Sequence, residues 1–206
     1  MSIKGAVCVL ALMATGAAQA HMMGNMPTPW TVRIGGTDIA PKQDNGTLGG
    51  GNVDVMSKLG MSFNVDYRLC RYVSFDLLGV IPYVQHIKID GSDIASTKHL
   101  PPTLSVQLHP LQFEGAWARI DPYVGVGVNR TFFFSEHVAN GAHLQLSNTW
   151  GVAAQVGVDA NLTSRWLVGA DVRYIQIEPD ASINGAALGT VKINPFVYSL
   201  NVGYRF

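Results

Sequence analysis

The stretch from Trp150 to Leu162, which reads WGVAAQVGVDANL, decides the fold. Apolar residues occupy every second position: Trp150, Val152, Ala154, Val156, Val158, Ala160 and Leu162. The positions between them carry small or polar side chains: Gly151, Ala153, Gln155, Gly157, Asp159 and Asn161. Successive side chains of a β-strand point to opposite faces. The pattern therefore predicts a strand with one face suited to lipid and the other to a crowded polar interior.

The same period of two recurs in seven further segments. Clear examples cover residues 59–69, 166–174 and 196–206, and weaker ones run over about 30–39, 73–82, 103–109 and 123–133. Each is near the length of a tilted membrane-spanning strand, about 9–11 residues. Helices of this length would mix apolar and polar residues on every face. We therefore predict an all-β fold, an eight-stranded antiparallel transmembrane β-barrel.

The composition agrees with a membrane barrel. The chain is 48% hydrophobic and only 14% charged, yet no apolar run of helical spanning length follows residue 20. In lipid, a backbone that forms no spanning helix must pair between strands, and the sheet must close so that no edge is exposed. Lys plus Arg and Asp plus Glu both number 14, so no basic surplus indicates a nucleic-acid partner.

Residues 1–20 have the features of a secretory signal peptide. Lys4 supplies a positive start, residues 5–18 are almost wholly apolar or small, and Ala18-Gln19-Ala20 fits a cleavage site. We predict cleavage after Ala20 and a barrel formed by residues 21–206.

The connections between the predicted strands alternate in length. Short turns fall near Cys70 and Thr163, with a longer one at 110–121, whereas long loops cover about 40–57, 83–100, 134–148 and 177–194. Outer-membrane barrels have short periplasmic turns and long extracellular loops. This orientation places both termini in the periplasm. Aromatic residues at strand ends suggest interfacial girdles: Trp30, Tyr67, Tyr72, Tyr123, Trp150, Trp166 and Tyr204.

The last residue, Phe206, is an aromatic in an alternating strand. We interpret it as the insertion signal that barrel-assembly machinery reads. The alternative interpretation is one more lipid-facing side chain.

Several blocks carry a resemblance to a known family: 75–78 running to Pro82, 99–104, 122–127, 150–159, 166–168 and 203–206. They resemble the OmpW family of outer-membrane barrels, which includes the alkane-uptake protein AlkL. The resemblance covers essentially the whole mature chain. It implies an eight-stranded barrel in the bacterial outer membrane, with an apolar lumen and a role in the passage of small hydrophobic molecules.

The resemblance also implies a channel constriction. Leu78 matches an inward leucine of the third strand, and its expected partner on the seventh strand is a tryptophan, where this chain has Arg173. A cation in place of an indole argues against an apolar, dry constriction. Should Arg173 face the lumen, it needs a carboxylate partner, either Asp171 or Asp76.

Charged residues occupy further positions predicted to face the lumen: Arg33, Asp66, Asp76, Asp159, Asp171 and Arg205. An eight-stranded barrel is only just wide enough for its side chains to fill. We interpret the set as an internal ion-pair network, because an unpaired buried charge is costly. An acid–base site would instead need carboxylates at an accessible rim. We predict no catalytic residues, no metal site and no cofactor.

Pro82 ends the predicted third strand toward the extracellular side, a position where a strand tolerates proline. A gap there would connect the upper lumen to the lipid layer. The alternative is a simple strand terminator.

Two functions remain open. The first is passive uptake of small hydrophobic solutes through the upper lumen, with sideways release into the bilayer. Its motivation is the apolar residues of the loops: Val84, Ile87, Ile89, Ile94, Leu100, Phe133, Phe134, Val138, Leu144 and Leu146. The second is a plugged structural or recognition barrel whose surface loops bind a partner, phage or toxin.

Overall fold

The computed structural model describes residues 29–42, 47–48, 51–55, 57–80, 83–89, 92–138, 144–183 and 186–206. The predicted signal peptide, residues 1–20, lies outside this part of the chain. The described strands, in chain order, are β1 (Trp30–Ala40), β2 (Thr47–Leu48), β3 (Gly51–Val55), β4 (Lys58–Cys70), β5 (Val73–Val80), β6 (Tyr83–Ile89), β7 (Ser92–Leu100), β8 (Thr103–Leu108), β9 (Phe113–Glu114), β10 (Arg119–Val138), β11 (Leu144–Leu146), β12 (Thr149–Asn161), β13 (Trp166–Ile175), β14 (Asp180–Ile183), β15 (Ala186–Thr190) and β16 (Phe196–Arg205).

Eight of these strands close into a ring. The order around it is β1, β4, β5, β8, β10, β12, β13 and β16, and β16 pairs again with β1. Every pairing is antiparallel. The predicted eight-stranded antiparallel barrel is therefore confirmed. No helix among the described residues is long and apolar enough to span a membrane.

The side chains of the wall alternate as the sequence predicts. Outward positions on β10, β12 and β16 are exposed and apolar, for example Val124, Val126, Val128, Val152, Val156, Leu200 and Val202. Inward positions are buried and mostly polar, for example Thr31, Arg33, Asn64, Ser105, Gln107, Asn129, Gln155 and Asn201. Glycines make room for long inward side chains. A Cβ on Gly169 would lie 2.6 Å from Oδ1 of Asp159 and 2.7 Å from Oδ1 of Asn201.

Aromatic pairs lie on the outer face at both ends of the wall. At the end with short turns, the ring centroids of Trp30 and Tyr67 are 4.8 Å apart and those of Trp166 and Tyr204 are 4.9 Å apart. At the opposite end, those of Tyr174 and Phe196 are 5.4 Å apart. The prediction that Tyr123 belongs to this girdle is wrong, because its ring is buried inside the barrel. Tyr123 lies in phase with the inward residues of β10, and the strand alternation outweighs its aromatic character.

The wall continues beyond the barrel at the opposite end, where the sequence predicts only loops. The upper part of β10 pairs with β7, β7 pairs with β6, and β6 pairs with β3. A separate sheet contains β11, β14 and β15. These pairings satisfy backbone groups that an irregular loop would have to expose to water. The four long connections that the sequence predicts do join barrel strands, and strands extend into all four of them.

Candidate functional site in the barrel lumen

Arg33 is the centre of a charged cluster inside the barrel. Its Nε lies 2.6 Å from Oδ2 of Asp66 on the neighbouring strand β4. Its two terminal nitrogens donate to both oxygens of Asp159, with Nη2 2.9 Å from Oδ2. Asp159 lies on β12, three strands away around the ring, so this pair crosses the lumen. The three side chains are buried. The structure brings together the three predicted members Arg33, Asp66 and Asp159.

Arg173 makes a second crossing of the lumen. Its Nη2 lies 2.9 Å from Oδ2 of Asp76, and both side chains are 1% exposed. Arg173 lies on β13 and Asp76 on β5, which are four strands apart in either direction around the ring. The ion pair therefore spans the barrel's full width, and Leu78, which is also buried, is the next inward residue after Asp76 on β5. Asp76 also accepts a hydrogen bond of 2.7 Å from the Asn64 amide.

Two of the predicted network residues lie beside these clusters. Asp171, the inward neighbour of Arg173 on β13, is buried and lies opposite Ser199 of β16 in the strand pairing. Arg205 lies near the short-turn end, where its Nη2 donates to Oδ1 of Asn161 at 2.9 Å. Its contact is thus an amide and not one of the predicted carboxylates.

A third ion pair crosses the lumen near the short turns. Nη2 of Arg68 on β4 lies 2.8 Å from Oδ2 of Asp121 on β10. Oδ1 of Asp121 lies 3.1 Å from Nδ1 of His109, whose Nε2 lies 2.9 Å from Oγ of Ser74. Sequence analysis missed this chain of contacts. Strand phase was the available signal, since position 109 follows the inward residues of β8.

Serine, histidine and carboxylate in this order also occur in nucleophilic enzymes. Here the three side chains of Ser74, His109 and Asp121 are almost fully buried. Asp121 is held in addition by Arg68. A nucleophile must reach its substrate, so this degree of burial favours structural packing across the lower lumen over catalysis.

The His109 contacts predict a pH-dependent stability. Burial lowers the pKa of the imidazole below 6.5, although the hydrogen bond with Asp121 opposes this shift. The unfolded chain thus binds the proton more readily than the folded one. As the pH falls below about 6.5, the free energy of unfolding should fall by at most ~1.4 kcal/mol per pH unit. Urea unfolding in lipid vesicles from about pH 8 to about pH 5 measures the slope.

His109→Gln is the matched variant, because glutamine also offers an N–H donor but does not titrate in this range. The variant should lose the part of the slope that the imidazole supplies. Identical slopes in both proteins would contradict a neutral, buried His109.

Above the three crossings, the lumen becomes apolar. On β13 the inward series runs from Asp171 and Arg173 to Ile175, and on β5 it runs from Asp76 to Leu78. These apolar residues belong to one buried cluster, called here the upper apolar layer: Ile39, Leu78, Val80, Leu146, Ala153, Ile175, Ile177, Ala181, Val191, Ile193 and Val197, with Phe133 packed against it. Two of the apolar loop residues noted in the sequence, Phe133 and Leu146, are among them.

The pairing of the barrel wall is interrupted beside this layer. Among the described residues, the last β5–β8 pair is Leu78 with Thr103, and the first β6–β7 pair is Tyr83 with His99. Pro101 and Pro102, which lack an N–H donor, lie between these points. The proline segment is hydrogen-bonded to β10 on its other side, because the carbonyl of Pro102 accepts a hydrogen bond of 3.1 Å from the N–H of Arg130. The interruption therefore lies between β5 and the proline segment. Pro82 itself lies outside the described residues.

Phe206 lies beside the girdle at the short-turn end. Its ring is 5.1 Å from that of Tyr204, and its N–H donates to the carbonyl of Trp30 at 3.0 Å. The side chain is 56% exposed on the outer face. Within the described part of the chain, no group of three or more His, Cys, Asp or Glu side chains is placed to hold a metal ion.

Comparison with known proteins places this geometry in a family. The model of the OmpW family matches residues 29–206. Outer membrane protein W of Vibrio cholerae is 31% identical over 225 residues, covering 99% of this chain and 100% of the relative. Outer membrane protein AlkL of Ectopseudomonas oleovorans is 28% identical, covering 78% of this chain and 72% of the relative.

A further relative is the dibenzothiophene metabolism operon protein PahQ of Pseudomonas aeruginosa. It is 25% identical, covering 87% of this chain and 89% of the relative. Among solved structures, the outer membrane protein OprG of Pseudomonas aeruginosa aligns with a TM-score of 0.74 and 27% identity. That alignment covers 87% of this chain and 96% of OprG. The predicted location in the bacterial outer membrane is confirmed.

Proposed function

The chain belongs to the OmpW family of outer-membrane barrels, and from that premise we propose that it takes up small hydrophobic molecules passively. A solute enters among the extracellular loops, dissolves in the upper apolar layer and leaves sideways into the bilayer. Leu78 and Arg173 form the constriction below which it does not pass. The main supporting observation is that the inward side chains change from apolar to ion-paired at the height of Leu78 and Arg173.

The lower lumen supports the proposal because it is costly for an apolar solute to enter. Ion pairs of Arg33, Arg173 and Arg68 cross it at successive heights, each with a buried carboxylate. Separating such a pair leaves uncompensated charges in a medium of low dielectric constant. A hydrophobic molecule would have to break these pairs to reach the periplasm, and it has no polar groups that could replace the broken contacts.

The interrupted pairing supports a sideways exit. Leu78 and Val80, both in the upper apolar layer, lie on β5 next to the interruption. An apolar solute there can move from one apolar environment to another, since the outer face of the barrel contacts lipid chains. The predicted role of Pro82 in this opening remains part of the proposal. The name of the relative PahQ refers to the metabolism of dibenzothiophene, an apolar aromatic compound, which agrees with a solute of this class.

Uptake by cells tests the proposal. Cells with the protein should take up a hydrophobic dye or a long-chain alkane faster than cells without it.

A disulfide across the interrupted β5–β8 pairing tests the sideways exit. In the β5–β8 register, Val80 would face Pro101, so Val80→Cys with Pro101→Cys should slow uptake when oxidised and restore it when reduced. The control is Leu77→Cys with Leu104→Cys, a directly paired position inside the ladder, where oxidation should change nothing.

Equal uptake with and without the protein, at equal expression, would reject the proposal. Unchanged uptake in the oxidised Val80–Pro101 variant would reject the sideways exit alone. The alternative function, a plugged recognition barrel, shares the closed lower lumen. It is favoured if single-channel recordings show no conductance steps and uptake is also absent.

We further propose that barrel-assembly machinery reads the strand end at Phe206. Replacing Phe206 with Asp should lower the yield in the outer membrane several-fold and leave unfolded protein in the periplasm. A charge on the lipid-facing side of a barrel strand is also unfavourable by itself. Leu111→Asp, at an exposed position of the turn, is the matched control. Heat-modifiable mobility and yield equal to those of the unaltered protein would count against this role.

A further inference from the structure

The boundary between the charged and apolar parts of the lumen contains unmatched polar atoms. Arg173 uses Nη2 toward Asp76, but its Nε and Nη1 have no hydrogen-bond partner among the described residues. The same holds for both amide atoms of Gln155 and for Oδ2 of Asp171. Gln155 is the direct cross-strand partner of Arg173, and Asp171 is the next inward residue on the same strand. These three side chains are more than nine-tenths buried.

The unmatched atoms lie directly below the upper apolar layer. Ile175 follows Arg173 on β13, Ala153 precedes Gln155 on β12, and Val197 is the β16 partner of Arg173. Buried polar atoms are normally matched, because an unmade hydrogen bond in a dry site is costly. A molecule with an apolar body in the layer would therefore bind more tightly if its lower end carried a polar group that hydrogen-bonds to these atoms.

The local charge selects the kind of polar group. The formal charges of Arg173, Asp76 and Asp171 are +1, −1 and −1, a net formal charge of −1. A carboxylate would satisfy the arginine donors but would add a third negative charge. An ammonium group would find acceptors but would lie against the guanidinium. A hydroxyl group both accepts and donates, so it can accept from Nε or Nη1 of Arg173 and donate to Gln155 or Asp171.

We infer that this site binds the hydroxyl group of a neutral amphiphile, an aliphatic alcohol or a phenol, while the apolar body occupies the upper apolar layer. This inference rests on the proposed function and narrows its solutes. Arg173 and Gln155 make the site prefer such an alcohol or phenol to a pure alkane. The net negative charge makes the site prefer it to a fatty acid.

Binding of four probes of equal chain length tests the site. The full-length mature protein in phospholipid nanodiscs is titrated with 1-octanol, octane, octanoate and octylamine, and partitioning into empty nanodiscs is subtracted. One hydrogen bond to a charged group should make octanol bind about tenfold more tightly than octane. Octanol should also shift the side-chain Nε–H resonance of Arg173 in the unaltered protein.

Two variants locate the effect. In Arg173→Met and in Gln155→Leu, the ratio of the dissociation constant of octane to that of octanol should fall toward one. Arg130→Met, on the outer face, should leave this ratio unchanged. The unaltered protein and Gln155→Leu decide the matter even if Arg173→Met fails to fold. Equal binding of octanol and octane, tighter binding of octanoate or octylamine, or an unmoved Arg173 resonance would each overturn the inference. Absence of binding by octane and octanol alike would overturn the proposed function as well.

Discussion

Replacing Arg33 with methionine should lower the free energy of unfolding by about 3–5 kcal/mol, the loss expected when one partner of a buried ion pair is removed. The variant keeps much of the side-chain volume but leaves the carboxylates of Asp66 and Asp159 buried without their cation. Asp66 also lies directly opposite Asp76 on β5, so their repulsion increases the loss. Urea unfolding in lipid vesicles, followed by tryptophan fluorescence, measures the difference.

Two further variants separate lost charge pairing from lost packing. Adding Asp66→Asn and Asp159→Asn to Arg33→Met removes the stranded charges and should restore most of the stability, because replacing a whole buried pair is often nearly neutral. Arg71→Met is the control for arginine removal, since Arg71 is exposed in a turn and should change stability by no more than about 0.5 kcal/mol. A loss in the Arg33 variant as small as in this control would contradict the network.

Replacing Arg173 with tryptophan should also destabilise the barrel by about 3–5 kcal/mol, and it should change what the lumen admits. The indole restores the residue that the family resemblance leads one to expect, but it strands Asp76 on the opposite wall. We therefore expect a lower free energy of unfolding together with faster passage of apolar solutes relative to small ions. Vesicle unfolding, dye uptake and planar-bilayer conductance measure the three quantities.

The double variant Arg173→Trp with Asp76→Asn identifies the cause of the instability. It should recover most of the lost stability while keeping the faster passage of apolar solutes, because the buried carboxylate is gone and the indole remains. No recovery in the double variant would mean that the indole itself does not fit. Unchanged stability in the single variant would contradict the ion pair between opposite walls.

The sequence predicted which residues face the lumen because, in a membrane barrel, one face of each strand contacts lipid and the other lines the lumen. Arg33 and Arg173 were placed inside by counting along their strands. The choice between Asp76 and Asp171 as partner of Arg173 could not be made this way. That choice depends on how far neighbouring strands are shifted around the closed ring, which brings β5 and β13 into contact across the lumen.

The regions beyond the bilayer were harder to predict. Outside the bilayer, a strand no longer has lipid on one face, so β6, β7 and β14 lack the regular alternation that identified the wall. The His109 contacts were missed for a related reason. His109 follows β8 at a turn, and its partners Asp121 and Ser74 are distant in sequence. The upper apolar layer likewise combines residues from wall strands and loops.

The measurement that most directly tests the central claim is paramagnetic relaxation by a nitroxide-labelled alkane in nanodiscs, read from methyl-labelled protein. Ile175 and Leu167 lie on the same inward face of β13, both 1% exposed, on either side of Asp171 and Arg173. The account predicts strong broadening of the methyl signals of Ile175 and Leu78 and none beyond background at Leu167. Equal broadening of Ile175 and Leu167, or none at either, would contradict an apolar upper lumen closed below by ion pairs.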